Sequence, residues 1–193
     1  MTLLAGFNQP IEQSQQAFRL ILKALSEPGV AVNLQSGPAW GALNAASTAV
    51  LLTLADQETP LYLCASLSSE QVLTNTRFHT GAPLATQQED ICLALYDHQL
   101  QAEDLAALPH GSEISPEFSA TLVVQISALA GGNPLRLSGP GVEKYREVSP
   151  LLPPALLDYL LDRPQRFPLG LDILLTCGER LLAIPRTTRV EEC

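Results

Sequence analysis

The chain has 193 residues, 46% of them hydrophobic and only 16% charged, with 20 acidic side chains against 11 basic ones. One domain spanning 1–193 with a substantial core is the expectation at this length. A net charge of −9 with lysine only at Lys23 and Lys144 excludes a basic face for nucleic acid and disfavours an anionic membrane surface, so an anionic small molecule would need a local arginine cluster.

Pro10 suits the first turn of a helix, and Phe18, Ile21, Leu22 and Leu25 recur at helical spacing, so residues 11–25 read as an amphipathic helix ended by Ser26-Glu27-Pro28-Gly29. Val30, Val32 and Leu34 alternate as a short strand does. Asn44 can cap a helix running to about Ala55, which is apolar nearly all round and so expected to be buried. Leu61-Tyr62-Leu63-Cys64 reads as a strand. Ser68 with Gln71 matches a capping box opening a helix that ends near Gly81. Ile91 to Tyr96 is a further strand, Ala102 to Leu108 a short helix stopped by Pro109, and Thr121 to Ala128 a β-rich run. Gly131-Gly132-Asn133-Pro134 then reads as a hairpin connection into Leu135-Arg136-Leu137. Leu156, Leu157, Leu160 and Leu161 mark a helix after Pro153-Pro154. Two apolar runs around a Gly178 break, from Phe167 to Ile184, form a hairpin of buried strands. The Pro-, Ser- and Gly-rich stretches 109–119 and 138–153 are the expected mobile loops. Helices alternating with strands, then strands pairing closely, predict a mixed sheet covered by helices on both faces.

The cysteines at 64, 92, 177 and 193 show no metal-type spacing, and Cys64 and Cys92 sit in apolar runs as small hydrophobes do. A reduced cytosolic protein is the expectation. Met1 to Pro10 lacks a basic region followed by an apolar one, so no secretory leader is read there. The longest apolar run, Ala45 to Ala55, is too short to span a bilayer.

No catalytic constellation emerges from spacing. His79, His98 and His110 are scattered, no serine sits in a Gly-x-Ser-x-Gly elbow, and no metal set is expected. His79 follows Arg77 and precedes Thr80-Gly81 at a helix C-terminus. There it is either a cation favoured by the helix dipole or, with Arg77, a neighbour of a bound anion. Asp172 interrupts an apolar strand and needs a partner, with Arg180 or Arg186 available for an ion pair; the alternative is a general base. Arg186-Thr187-Thr188-Arg189 is the best anion site on offer, because guanidinium forks and hydroxyls suit phosphate or phosphonate oxygens, although it could equally be a solvated or docked tail. The candidate anion ligands are thus Arg77, His79, Arg180, Arg186, Thr187 and Thr188. Gly139-Pro140-Gly141 lacks the lysine and spacing of a phosphate loop and reads as a tight turn.

Several blocks in order resemble one known family. They are Arg19-Leu20-Ile21-Leu22-Lys23-Ala24-Leu25-Ser26-Glu27-Pro28-Gly29, then Leu51 to Asp56 with Thr59-Pro60, then Arg77-Phe78-His79-Thr80. Leu135 to Gly141 and the run from Phe167 to Arg189 complete the set. The family is the H subunit of the carbon–phosphorus lyase complex of bacterial phosphonate breakdown. The resemblance implies a three-layer α/β/α sandwich related to pyridoxal-phosphate-dependent transferases. Such enzymes need a Schiff-base lysine after a strand, and neither Lys23 nor Lys144 is so placed, so no cofactor is expected. It further implies a non-catalytic subunit, required with the G, I and L subunits for forming ribose 1-methylphosphonate 5-triphosphate from ATP and methylphosphonate. The implied partners are the G, I and J subunits, with a homodimer when isolated. The alternatives are a stand-alone transferase using Asp172, Glu179 and Arg186, or a phosphonate or nucleotide binder.

Overall fold

The computed structural model describes residues 3–34 and 37–193. Met1 and Thr2, part of the stretch read for a leader, lie outside them. Among the described residues no helix is long and apolar enough to cross a membrane.

Helix α1 spans Pro10–Ser26, with Pro10 in its first turn as expected. Its buried side is made of Ala17, Ile21 and Ala24, with Leu20 and Leu25 partly buried beside them. Phe18 and Leu22 remain 49% and 54% exposed, which corrects the inward face assigned to them from spacing. The two alanines let the helix lie close on strand β1 (Ala31–Asn33) and helix α2 (Ala45–Leu54), which leaves Phe18 and Leu22 on the outer side while Ile21 stays buried. Helix α2 is buried from Ala46 to Leu51. Asn44 caps it as predicted, its side-chain oxygen accepting the Ser47 N–H at 2.8 Å.

Strand β2 (Leu61–Leu63) leads to α3 (Glu70–Thr80). The cap of α3 is Ser69, whose hydroxyl accepts from Val72 N, whereas the Ser68 hydroxyl donates to Ala65 O; the Ser68–Gln71 box does not form. Starting one residue later brings Val72, Asn75 and Thr76 to the buried side. Gly81, at φ 72°, closes the helix as expected. Strand β3 (Leu93–Tyr96), helix α4 (Ala102–Ala107), strand β4 (Thr121–Gln125), strand β5 (Leu135–Ser138) and strand β6 (Arg146–Val148) follow. Helix α5 (Pro154–Leu161) precedes the hairpin of β7 (Asp172–Cys177) and β8 (Arg180–Ile184), and β9 (Arg189–Glu192) completes the elements.

Six strands form a mixed sheet in the order β1-β8-β7-β4-β3-β2. Strands β2, β3, β4 and β7 run parallel, and β8 is antiparallel to both β7 and β1. Successive residues of β7 serve opposite faces. Leu174 joins a core with Ile21 of α1, Val50 of α2 and Val72 of α3, while Ile173 and Leu175 join one with Leu105 of α4 and Leu156 of α5. Period-2 alternation in the sheet thus feeds two cores, with helices over both faces.

The remaining strands form a separate antiparallel sheet, β6-β5-β9. The connection at Gly131-Gly132 is therefore not a hairpin, because β4 pairs with β3 and β7, and β5 with β6 and β9. Gly132 serves a close approach instead. Its N–H donates to Ser149 O, and a Cβ on it would collide with the Pro150 carbonyl. The stretch 138–153, read as loop, contains β6, and the tail after Pro185 becomes β9.

The outer edge of β2 is not bare. Leu61 donates to Pro83 O and accepts from Ala85 N, each at 2.8 Å, so the segment after α3 lies along it.

Candidate functional site

Asp172 opens β7, and Arg186 lies two residues beyond the end of its hairpin partner β8, so the antiparallel register brings them together. Asp172 Oδ1 accepts the Arg186 backbone N–H at 2.8 Å. Oδ2 accepts from the guanidinium Nη2 at 2.6 Å and Nε at 3.1 Å. The other arm, Nη1, donates to Pro116 O at 2.9 Å and Pro168 O at 3.3 Å. One ion pair, with side chains only 26% and 16% exposed, therefore ties the sheet to the loops 109–119 and 163–171. Asp172 has the ion-pair partner its place in an apolar strand demanded, and that partner is Arg186, not Arg180. Most of the Arg186 N–H donors are committed to protein oxygens, which leaves little of its fork for a ligand.

The other candidate ligands lie elsewhere. Arg180 starts β8 at the hairpin turn, roughly 20 Å along the strand from Arg186. Glu179 sits at the same turn, so Asp172, Glu179 and Arg186 are not gathered into one centre. Arg77 is exposed on α3, against a hollow that it lines with Leu73 and Leu84. His79 is a clamp for the N-terminal segment. Its Nε2–H donates to Leu4 O at 2.9 Å and its ring stacks on Trp40 at 5.1 Å. Trp40 Nε1 in turn donates to Ala5 O, and Asn75 accepts from Leu4 N. Thr187 is half-buried in the turn after β8, and Thr188 is buried, its N–H donating to Pro185 O.

His110 holds the 109–119 loop to α4, donating from Nε2 to Leu105 O at 3.0 Å, and stacks on Tyr159. Burial lowers its pKa, so the fold favours the neutral ring. The unfolded chain then binds the proton more readily, and stability should fall as pH drops below about 6.5, the ordinary histidine value, levelling off below the lowered folded value. Unfolding midpoints between pH 7.5 and 5.5 should fall more steeply for the wild type than for His110→Gln; equal slopes would refute the assignment.

Two groups at the carboxyl ends of the parallel strands were not singled out by the sequence. After β2 and β3, Ser66 Oγ donates to Asp97 Oδ2 at 2.7 Å, and Cys64 Sγ lies 3.1 Å from Ser66 Oγ. His98 Nδ1 is 3.9 Å from that same Asp97 oxygen, beyond hydrogen-bond range, and among the described residues no imidazole is hydrogen-bonded to the serine or thiol as an activating base would be. Near α2, Asn44 N donates to Gln125 Oε1, and Ser47 and Thr176 share a hydroxyl contact at 2.8 Å. The available signal was polar residues directly following two adjacent parallel strands, the end at which open α/β sheets hold ligands. Among the described residues no three His, Cys, Asp or Glu groups are placed to hold a metal ion.

Comparison with known proteins agrees with the blocks quoted above. Residues 5–191 match the family described as bacterial phosphonate metabolism protein (PhnH). The chain is 34% identical over 188 residues to alpha-D-ribose 1-methylphosphonate 5-triphosphate synthase subunit PhnH of Rhizobium meliloti (strain 1021), covering 96% of this chain and 94% of that protein. It is 31% identical over 180 residues to a putative C-P lyase subunit protein HtxG of Stutzerimonas stutzeri, covering 92% and 86%. A match running from the N-terminal segment clamped by His79 to the last strand of the small sheet has one meaning: the chain belongs to the bacterial PhnH family of phosphonate metabolism proteins.

Proposed function

We propose that this chain is a subunit of a carbon–phosphorus lyase assembly in organic phosphonate catabolism. It is required with the G, I and L subunits for forming ribose 1-methylphosphonate 5-triphosphate from ATP and methylphosphonate, and it is not catalytic alone. The observation that carries this reading is the end-to-end similarity to two relatives whose names call them subunits, one of that synthase and one of a C-P lyase.

The molecule's surface supports it. Ile11, Phe18 and Leu22 fall on one side of α1 and are 87%, 49% and 54% exposed, an apolar stripe of the kind a companion covers. The polar groups described above are engaged with one another and not arranged as nucleophile and base. Lys23 is paired with Glu27 on α1, and Lys144 is exposed in the loop before β6, so neither follows a sheet strand as a Schiff-base lysine would. We read the fold as a relative of the pyridoxal-phosphate-dependent transferases that works without that cofactor. We place the chain in the cytoplasm as one domain, homodimeric in isolation, and bound to the G, I and J subunits in the assembly.

Tagged chain co-expressed with the G, I and J subunits should retain them through affinity and size-exclusion steps. The purified chain alone, given ATP and methylphosphonate, should release no adenine. Turnover by the solitary chain would replace this reading with the stand-alone transferase, and failure to retain any companion would remove the subunit role.

A further inference from the structure

Between the end of α5 and β9 lies an open cavity of about 490 Å³, with Arg163 and Thr188 in its lining. Arg163 donates from Nη1 to Leu171 O and from Nη2 to Pro185 O, both at 3.2 Å, and its plane lies over the Tyr159 ring. Those partners are neutral. No carboxylate of the described residues lies within 4 Å of it, and its buried Nε–H has no acceptor. Asp172, whose charge reaches Arg163, is already held by Arg186, so one carboxylate serves two guanidiniums. Arg163 is partly buried, and a guanidinium drawn out of water without a carboxylate in contact is costly, so proteins ordinarily pair it.

Thr188 shows the same imbalance. It is 3% exposed, and its hydroxyl oxygen is buried without a hydrogen-bond partner. Two unmatched donors, one carrying a full positive charge, thus belong to residues lining one cavity. Leu160 and Leu161 of α5 supply an apolar flank beside them. Glu191 and Glu192 also line the cavity; Glu191 is bound to Arg189 at 2.7 Å, which leaves Glu192 as the opposing charge.

We propose that the α5–β9 cavity binds a small tetrahedral oxyanion, a phosphoryl or phosphonyl group, through the guanidinium of Arg163 and the hydroxyl of Thr188. This relocates the anion site from Arg186, whose guanidinium makes four hydrogen bonds to protein oxygens, to Arg163, whose guanidinium makes two, and Thr188, whose hydroxyl makes none. The apolar flank tolerates an alkyl substituent on the anion, and Glu192 disfavours anions of high charge. The proposal stands independently of the subunit reading, since it concerns binding by the isolated chain.

The test is calorimetric titration of the full chain with inorganic phosphate, methylphosphonate and ATP, beside the Thr188→Val, Arg163→Gln and Glu192→Gln variants. Phosphate and methylphosphonate should bind. Thr188→Val and Arg163→Gln should each weaken them about tenfold or more, the scale of a charge-assisted hydrogen bond. Glu192→Gln should tighten them. Thr188→Val is the decisive variant, because its hydroxyl holds nothing in the fold, so its Tm without ligand should equal or exceed that of the wild type while the upward Tm shift given by phosphate shrinks. Binding of ATP alone, lost in Thr188→Val, would assign the site to a phosphoryl group carried by a nucleotide. No binding of any of the three, or affinities unchanged in Thr188→Val, would overturn the proposal.

Discussion

Replacing Asp172 with alanine should destabilise the folded chain by about 2–4 kcal/mol, the range for leaving one member of a largely buried ion pair alone, reduced slightly for its remaining exposure. The cause is specific. Arg186 loses the acceptor for its backbone N–H and for two guanidinium donors, and keeps only the Pro116 and Pro168 carbonyls. The damage should spread to the loops that Arg186 holds. Amide exchange in 110–119 should speed up more than in β4 or β7, whose backbones are paired on both sides. The paired change Asp172→Leu with Arg186→Met should cost less than the sum of its single changes, since it leaves no isolated charge. Urea midpoints for the four proteins measure this directly. A single-variant cost below about 0.5 kcal/mol would show the pair to be ornamental.

The second large effect is expected far from that ion pair, at Gly141. Its φ is 80°, in the left-handed region, and a Cβ there would run into the carbonyl oxygen of Ser26. The turn it belongs to presses on the exit of α1, where Arg146 of β6 also donates to Glu27 O and Pro28 O. Gly141→Ala combines about 1–2 kcal/mol of left-handed backbone cost with a clash against main chain that cannot rotate away. A loss of about 2–4 kcal/mol is expected, read as a Tm lower by roughly 5–12 °C for a chain of this size. Calorimetric scans of wild type and variant check it. A drop under about 2 °C would mean the turn and the helix exit are not in firm contact. The same geometry explains why Gly139-Pro140-Gly141 is a packing turn: Val142 N closes back on Gly139 O, and the space beside Gly141 is filled by α1.

What could be read from the chain beforehand divides along physical lines. The β7–β8 hairpin was legible, because two continuous apolar runs around Gly178 have few other ways to be buried. Helix α1 was legible as a helix and its orientation only in part: Ile21 and Leu25 face the core as the spacing suggests, but Phe18 and Leu22 do not, since Ala17 and Ala24 are too small to dominate a hydrophobic pattern yet decide how closely the helix can pack. The small sheet was invisible. Strand β6 is Arg-Glu-Val, and β9 buries only Val190 among charges. Their partner β5 looked like the second arm of a hairpin with β4, and the pairing of β5 with β9 is set by chain more than fifty residues away.

The same division holds for the candidate site. Asp172 and Arg186 stood out because a carboxylate in an apolar strand demands an answer nearby. Arg163 did not, because a guanidinium in a polar connection looks solvated until the fold half-buries it and closes off its Nε. Thr188 was named for its hydroxyl, but only the fold leaves that hydroxyl without an acceptor. The Cys64, Ser66 and Asp97 contacts join residues separated by a helix and depend on β2 lying beside β3.

An open β-edge invites another chain to add itself by main-chain pairing, and along β2 that invitation is withdrawn: residues 83–85 occupy hydrogen-bonding positions that an incoming strand would use. On the opposite flank β1 offers a template only three residues long. Growth of the six-stranded sheet by ribbon extension is thereby limited at both flanks.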